Sequence, residues 1–150
     1  MKKIIIAYLF IMLASVVALG ISLCCGFLKH ISPFMTLSIY CSLLGLLGGI
    51  THCLRALYLH NCFLKNWQTE WEIWYFIRPI VSGIMGFISL LFIKAGLLVF
   101  SNNAALDIEN RTVFYLIVAF FAGYNVQNFL KKIDEVSKSF IGIEKKIPLK

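Results

Sequence analysis

The sequence predicts an all-α, polytopic membrane protein: four transmembrane helices, an interfacial tryptophan-rich helix and a cytoplasmic C-terminal amphipathic helix. Three observations carry that expectation. Apolar residues make up 60% of the 150 residues and mean hydropathy is +0.85, too little polarity to coat a soluble core. The apolar residues gather in four runs, at about residues 4–28, 34–54, 79–100 and 113–128, each near the ~20 residues that cross a bilayer as helix. Lysine and arginine fall almost wholly on one side of the arrangement those runs dictate. By length the chain is one domain, residues 1–150.

The first run follows Met1-Lys2-Lys3, as a signal peptide would. It is longer than a signal h-region, and no small-x-small cleavage site follows it. Ile21-Ser22-Leu23-Cys24 lacks the small residue a lipoprotein box needs before its cysteine. The expectation is a retained first span. Lys29, His30, Ser32 and Pro33 then make a short turn into the second run. Within that run Gly45, Gly48 and Gly49 form a small face with GxxxG spacing, which lets another backbone come close. Neither proline nor glycine lies between Thr51 and Ile77, so the helix is expected to continue past the bilayer and bend near Lys65-Asn66.

Residues 55–78 form the expected cytoplasmic segment, with all three tryptophans in it. Trp67, Trp71 and Trp74 recur at i, i+4, i+7 and so share one helical face, with Gln68, Thr69, Glu70 and Glu72 on the other. Tryptophan and tyrosine favour the membrane–water boundary, because one end of the ring system is apolar and the other seeks a hydrogen bond. Tyr75 and Arg78 extend this interfacial set, and Pro79 suits the first turn of a new helix. The third span is therefore expected to enter at Arg78–Pro79. Ser82, Gly86 and Ser89 give it a line of small residues for helix packing. Lys94 lies inside this run, on the order of 9 Å from Phe100 at helical rise. A lysine stem spans that distance, so snorkelling is the bland reading and a pore or sensor role the sharp one.

A polar loop with Asp107, Glu109 and Arg111 leads to the fourth run, which turns polar at Asn125, Gln127 and Asn128. These amides suit a polar vestibule, an interhelical hydrogen bond or a helix end among headgroups. Phe129, Ile133, Val136 and Phe140 then recur at i, i+4, i+7, i+11, with Lys131, Lys132, Asp134, Glu135 and Lys138 between them. That pattern predicts an amphipathic helix continuing the fourth span, ended by Gly142, within a cytoplasmic tail of residues 129–150.

Orientation follows from the basic residues. A cytoplasmic N-terminus and four spans put Lys2, Lys3, Arg55, Lys65, Arg78, Lys131, Lys132, Lys138, Lys145, Lys146 and Lys150 inside, and Lys29 and Arg111 outside. Both termini are then cytoplasmic. In a membrane protein the net charge of +7 is read by where the positive charges sit, and no direct nucleic-acid binding is expected. Cys24, Cys25, Cys41, Cys53 and Cys62 lie in or beside apolar runs, an odd number that reads as reduced, buried small hydrophobes. His52-Cys53 and His60-x-Cys62 lack zinc-site spacing. No carboxylate pair, catalytic triad or phosphate-cradling glycine loop is present, so neither an enzyme nor a cofactor or metal site is expected.

Four short spans, almost no outer loops and a cytoplasmic face of two amphipathic helices resemble the KwaA membrane subunits of Kiwa antiphage systems. The residues behind the likeness are Trp74, Tyr75, Arg78 and Pro79, then Ser82-Gly83-x-x-Gly86, and Ala122-Gly123. The resemblance implies a membrane sensor that assembles with itself and with a cytosolic partner. The resulting expectation is a non-enzymatic bacterial inner-membrane sensor or scaffold. Trp67, Trp71 and Trp74 would register the bilayer, and the stripe Phe129, Ile133, Val136 and Phe140 would meet a partner or a neighbouring subunit. The alternative is a homo-oligomeric pore that depolarises the membrane, with Lys94, Asn125 and Asn128 facing its lumen. The spans hold few polar residues to line such a path.

Overall fold

A computed structural model describes residues 2–24, 32–63, 72–96 and 108–141. They form α1 (Lys2–Cys24), α2 (Pro33–Tyr58) prolonged by a π-helical turn (Leu59–Phe63), α3 (Glu72–Lys94), α4 (Ile108–Tyr124) and α5 (Val126–Ile141). The described residues are all-helical. Helices α1, α2 and α3 are each long and apolar enough to cross a membrane, and α4 with α5 brings the number to four if that bent pair is one span.

Helix α2 is the centre, with α3 and α4 packed on it and on each other, and α1 laid against α2 and α3. Ser32 caps its start, the hydroxyl oxygen accepting from the Met35 N–H at 3.4 Å, and Pro33 fills the first turn. Three glycines let the neighbours close in. A methyl group on Gly45 would stand 2.6 Å from the Ser82 carbonyl and 2.7 Å from the Gly86 Cα. On Gly48 it would strike the Phe120 carbonyl, and on Gly123 the Gly45 backbone. The small face of the second run is therefore consumed within one chain. Ser82 and Ser89, fully buried, donate their hydroxyls back to the Arg78 and Gly86 carbonyls at 2.8 Å each. The small-residue line on α3 packs as its spacing predicts.

Two apolar clusters lie at opposite ends of this packed core. Ile5, Leu9, Cys53 and Tyr75 form one; Cys41, Leu90 and Ala119 form the other. Cys41 and Cys53 are free, buried thiols. Facing outwards on α3, Ile73, Ile77, Ile80, Ile84 and Leu91 are exposed, as are Val113, Ile117 and Phe121 on α4 and Ile4, Ile11 and Ile21 on α1. Such a jacket of bare isoleucine, valine and phenylalanine suits acyl chains rather than water.

Three local expectations change. Helix α3 begins at Glu72 instead of Pro79, so Pro79 sits about two turns inside a continuous helix and is fully buried. Neighbouring helices support a proline of this kind in apolar surroundings, and here Trp74 and Tyr75 already dock on the first cluster before it. Glu72, expected on the polar side of a surface helix, is 8% exposed, in the first turn of α3, where a negative charge suits the helix N-terminus. Finally, the fourth helix does not run straight on. It breaks at Asn125, and α5 leaves at 106° to α4.

Candidate functional site

The break between α4 and α5 coincides with the densest polar grouping in the described bundle. His52 and Arg55 stand one turn apart on α2, Trp74 and Arg78 one turn apart on α3, and both pairs converge on Tyr124, the last residue of α4. Arg55 Nη1 donates to the Tyr124 hydroxyl at 2.6 Å. Arg78, only 7% exposed, reaches from behind and donates Nη2 to the Tyr124 main-chain carbonyl at 3.4 Å. Its charge thereby faces the negative end of α4. The Trp74 ring covers one face of the Arg78 guanidinium, 4.7 Å from the ring centroid. The His52 ring fills the space between, 5.3 Å from the Tyr124 ring and 5.9 Å from Trp74.

Electrostatically the cluster is one-sided. Among the described residues the ion pairs are Lys132–Glu135 at 3.1 Å and Lys138–Asp134 at 2.9 Å, both on α5. Among the described residues, neither arginine of the cluster has a carboxylate within that range. Two nitrogens, Arg78 Nε and His52 Nδ1, are buried with no hydrogen-bond partner among the described residues. An arginine cannot shed its proton to escape such a position. On the concave side of the elbow, Tyr124, Asn125, Asn128, Phe129 and Lys132 line a groove of about 610 Å³ floored by Val118, Phe121 and Ala122.

No family model, no curated protein and no solved structure matches the chain. What the cluster offers follows from its own chemistry: two charged donors, an imidazole, a tyrosine hydroxyl and aromatic cover. Among the described residues, no three His, Cys, Asp or Glu side chains assemble as metal ligands.

The residues singled out in the sequence distribute as follows. Trp67 and Trp71 lie outside the described residues, so the three-tryptophan face is carried here by Trp74 alone, half-buried in the cluster. Tyr75 is 1% exposed and packs into the first apolar cluster. Arg78 is a core residue. Asn125 and Asn128 open onto the elbow groove. Lys94 is the last residue of α3, exposed, with its Nζ 4.4 Å over the Phe34 ring at the opposite end of the bundle. On α5, Phe129, Ile133 and Val136 are half-buried, Leu130 is exposed, and the side chain of Phe140 lies outside the described residues. His52 and Tyr124 were missed as members of one site. The available signal was a histidine and an arginine at i, i+3 in an otherwise apolar run.

Proposed function

We propose that the chain is a non-enzymatic sensor or scaffold of the bacterial inner membrane, which self-associates and holds a cytosolic protein at its cytoplasmic face. The observation that carries this reading is the elbow. A helix turned 106° from α4 extends away from the bundle, with Val126 buried at its root and Phe129, Ile133 and Val136 only half-covered beyond it. Each large apolar side chain gains on the order of 1.5–3 kcal/mol on full burial, so a partly covered stripe on a projecting helix favours a second surface. Its acidic residues pair with its own lysines, which leaves less net charge to hold anionic lipid and favours protein cover. The basic-residue asymmetry supports cytoplasmic termini, with α5 on the cytoplasmic side. The likeness to antiphage membrane subunits supports a role in defence.

A pore has less behind it. Lys94 and the Asn125–Asn128 groove lie at opposite ends of the bundle, and α2, α3 and α4 close on one another through glycine backbones. The test is recovery of assemblies and co-purifying proteins in mild detergent, comparing the native chain with Ile133→Asp plus Phe140→Asp. The double variant is expected to insert normally but lose its higher assemblies or its partner. Native-size assemblies with an unchanged set of co-purifying proteins would make α5 an ordinary membrane-surface helix.

A further inference from the structure

We infer that the cationic cluster at the elbow binds a phosphate anion, of the kind a phospholipid headgroup carries. The inference needs the chain to sit in a membrane but does not need a partner for α5. Arg55 and Arg78 bring two permanent positive charges to one residue, Tyr124, with no carboxylate of the described chain in ion-pair range. Arg78 is 93% shielded, being 7% exposed, and its contact with the Tyr124 carbonyl at 3.4 Å is longer than the ~2.9 Å of a well-formed N–H···O bond. Its Nε is buried without a hydrogen-bond partner among the described residues. Planar guanidinium groups match phosphate oxygens in a fork, and such charge-assisted pairs are among the strongest hydrogen bonds. The Tyr124 hydroxyl accepts from Arg55 and therefore keeps its own proton to donate to an anion.

Position and shape favour a lipid as the source of the phosphate. Helix α5 departs at 106° from the residue after Tyr124. With α4 crossing the bilayer, that turn sets α5 roughly parallel to the membrane plane, and the cluster at its root stands at the depth of the headgroups. Tyr124 belongs both to the cluster and to the groove, which runs over Val118, Phe121 and Ala122 and is lined by neither arginine; beside the Tyr124 hydroxyl it offers an acyl chain an apolar path along α4. Lipid sites between helices on the cytoplasmic side have this combination of basic rim and apolar floor.

The experiment is native mass spectrometry of the full chain in mild detergent, titrated with phosphatidylglycerol, with and without excess inorganic phosphate. The native chain is expected to retain the lipid. Arg55→Gln changes an exposed side chain and should weaken retention about tenfold or more, as loss of a charged hydrogen bond does. Arg78→Lys keeps the charge but loses the fork and should weaken it too, while Lys131→Gln, on the exposed side of α5, should not. Insensitivity to inorganic phosphate supports the lipid; displacement of the lipid by millimolar phosphate supports the same anion site filled from solution. Equal retention by the native chain, Arg55→Gln and Arg78→Lys would overturn the site.

Discussion

Gly48 and Gly123 decide how near α4 can come to α2, and that separation brings Tyr124 within reach of both arginines. A methyl group on Gly48 would press on main-chain atoms, the Phe120 carbonyl and the Tyr124 nitrogen at 2.7 Å, and backbone in a packed helix cannot turn aside as a side chain can. Gly48→Ala is therefore expected to lower stability by about 1–3 kcal/mol, read as a lower Tm in detergent. Gly20→Ala is the control, with nothing within 4 Å of the added carbon, and should match or slightly exceed the native Tm. Lys94→Leu removes an exposed cation–π contact worth about 0.5–1 kcal/mol; insertion should be normal, and conductance of reconstituted liposomes should not change. A conductance that shifts with this substitution would support the pore. At this scale the sequence was legible where composition decides, as at Ser82, Gly86 and Ser89. The helix carrying Lys94 was expected to run on to Phe100, but α3 ends at Lys94, just before Gly96. That glycine has φ +73° and closes the helix, its N–H bonded to the Ile93 carbonyl at 3.0 Å, so the Lys-Ala-Gly ending was a readable stop signal.

Among the elements, the elbow separates what periodicity reveals from what it cannot. The apolar spacing after Asn128 predicts a helix, but that spacing is the same whether the helix runs straight or turns. The turn is held by residues far away in sequence, Arg78 and Arg55, which lie 46 and 69 positions from Tyr124. Tyr124→Phe removes the hydroxyl that Arg55 meets while sparing the carbonyl that Arg78 meets. It should leave helix content unchanged and speed amide exchange at Val126 and the residues after it; unchanged exchange would show that Arg55 does not help hold the elbow. The start of α3 was hidden for a related reason. Arg78–Pro79 has the composition of a boundary, yet burial of Trp74, Tyr75 and Arg78 against α2 and α4 carries the helix through it.

For the whole molecule, the proposed topology makes a prediction independent of the packing. In a cysteine-free background, a reporter cysteine at Asn103 should react with an impermeant reagent in intact cells, and one at Lys146 should not. Labelling at both positions would sink the four-span arrangement. That several helices are long and apolar enough to cross a membrane was legible from hydropathy alone, and the exposed Ile73, Ile77, Ile80 and Ile84 suit a solvent as apolar as themselves. The candidate site was not, since Arg55 and Arg78 read individually as boundary charges and become a cluster only when α2, α3 and α4 close around Tyr124.

The central claim is that α5 presents its apolar stripe to protein. Site-specific photo-crosslinking in native membranes tests it most directly, with the crosslinker at Ile133 on the half-covered stripe and, for comparison, at Glu135 on the exposed side. The account predicts protein adducts, to a second copy or to a cytosolic protein, from Ile133 and none from Glu135. Lipid adducts alone from Ile133 would contradict it.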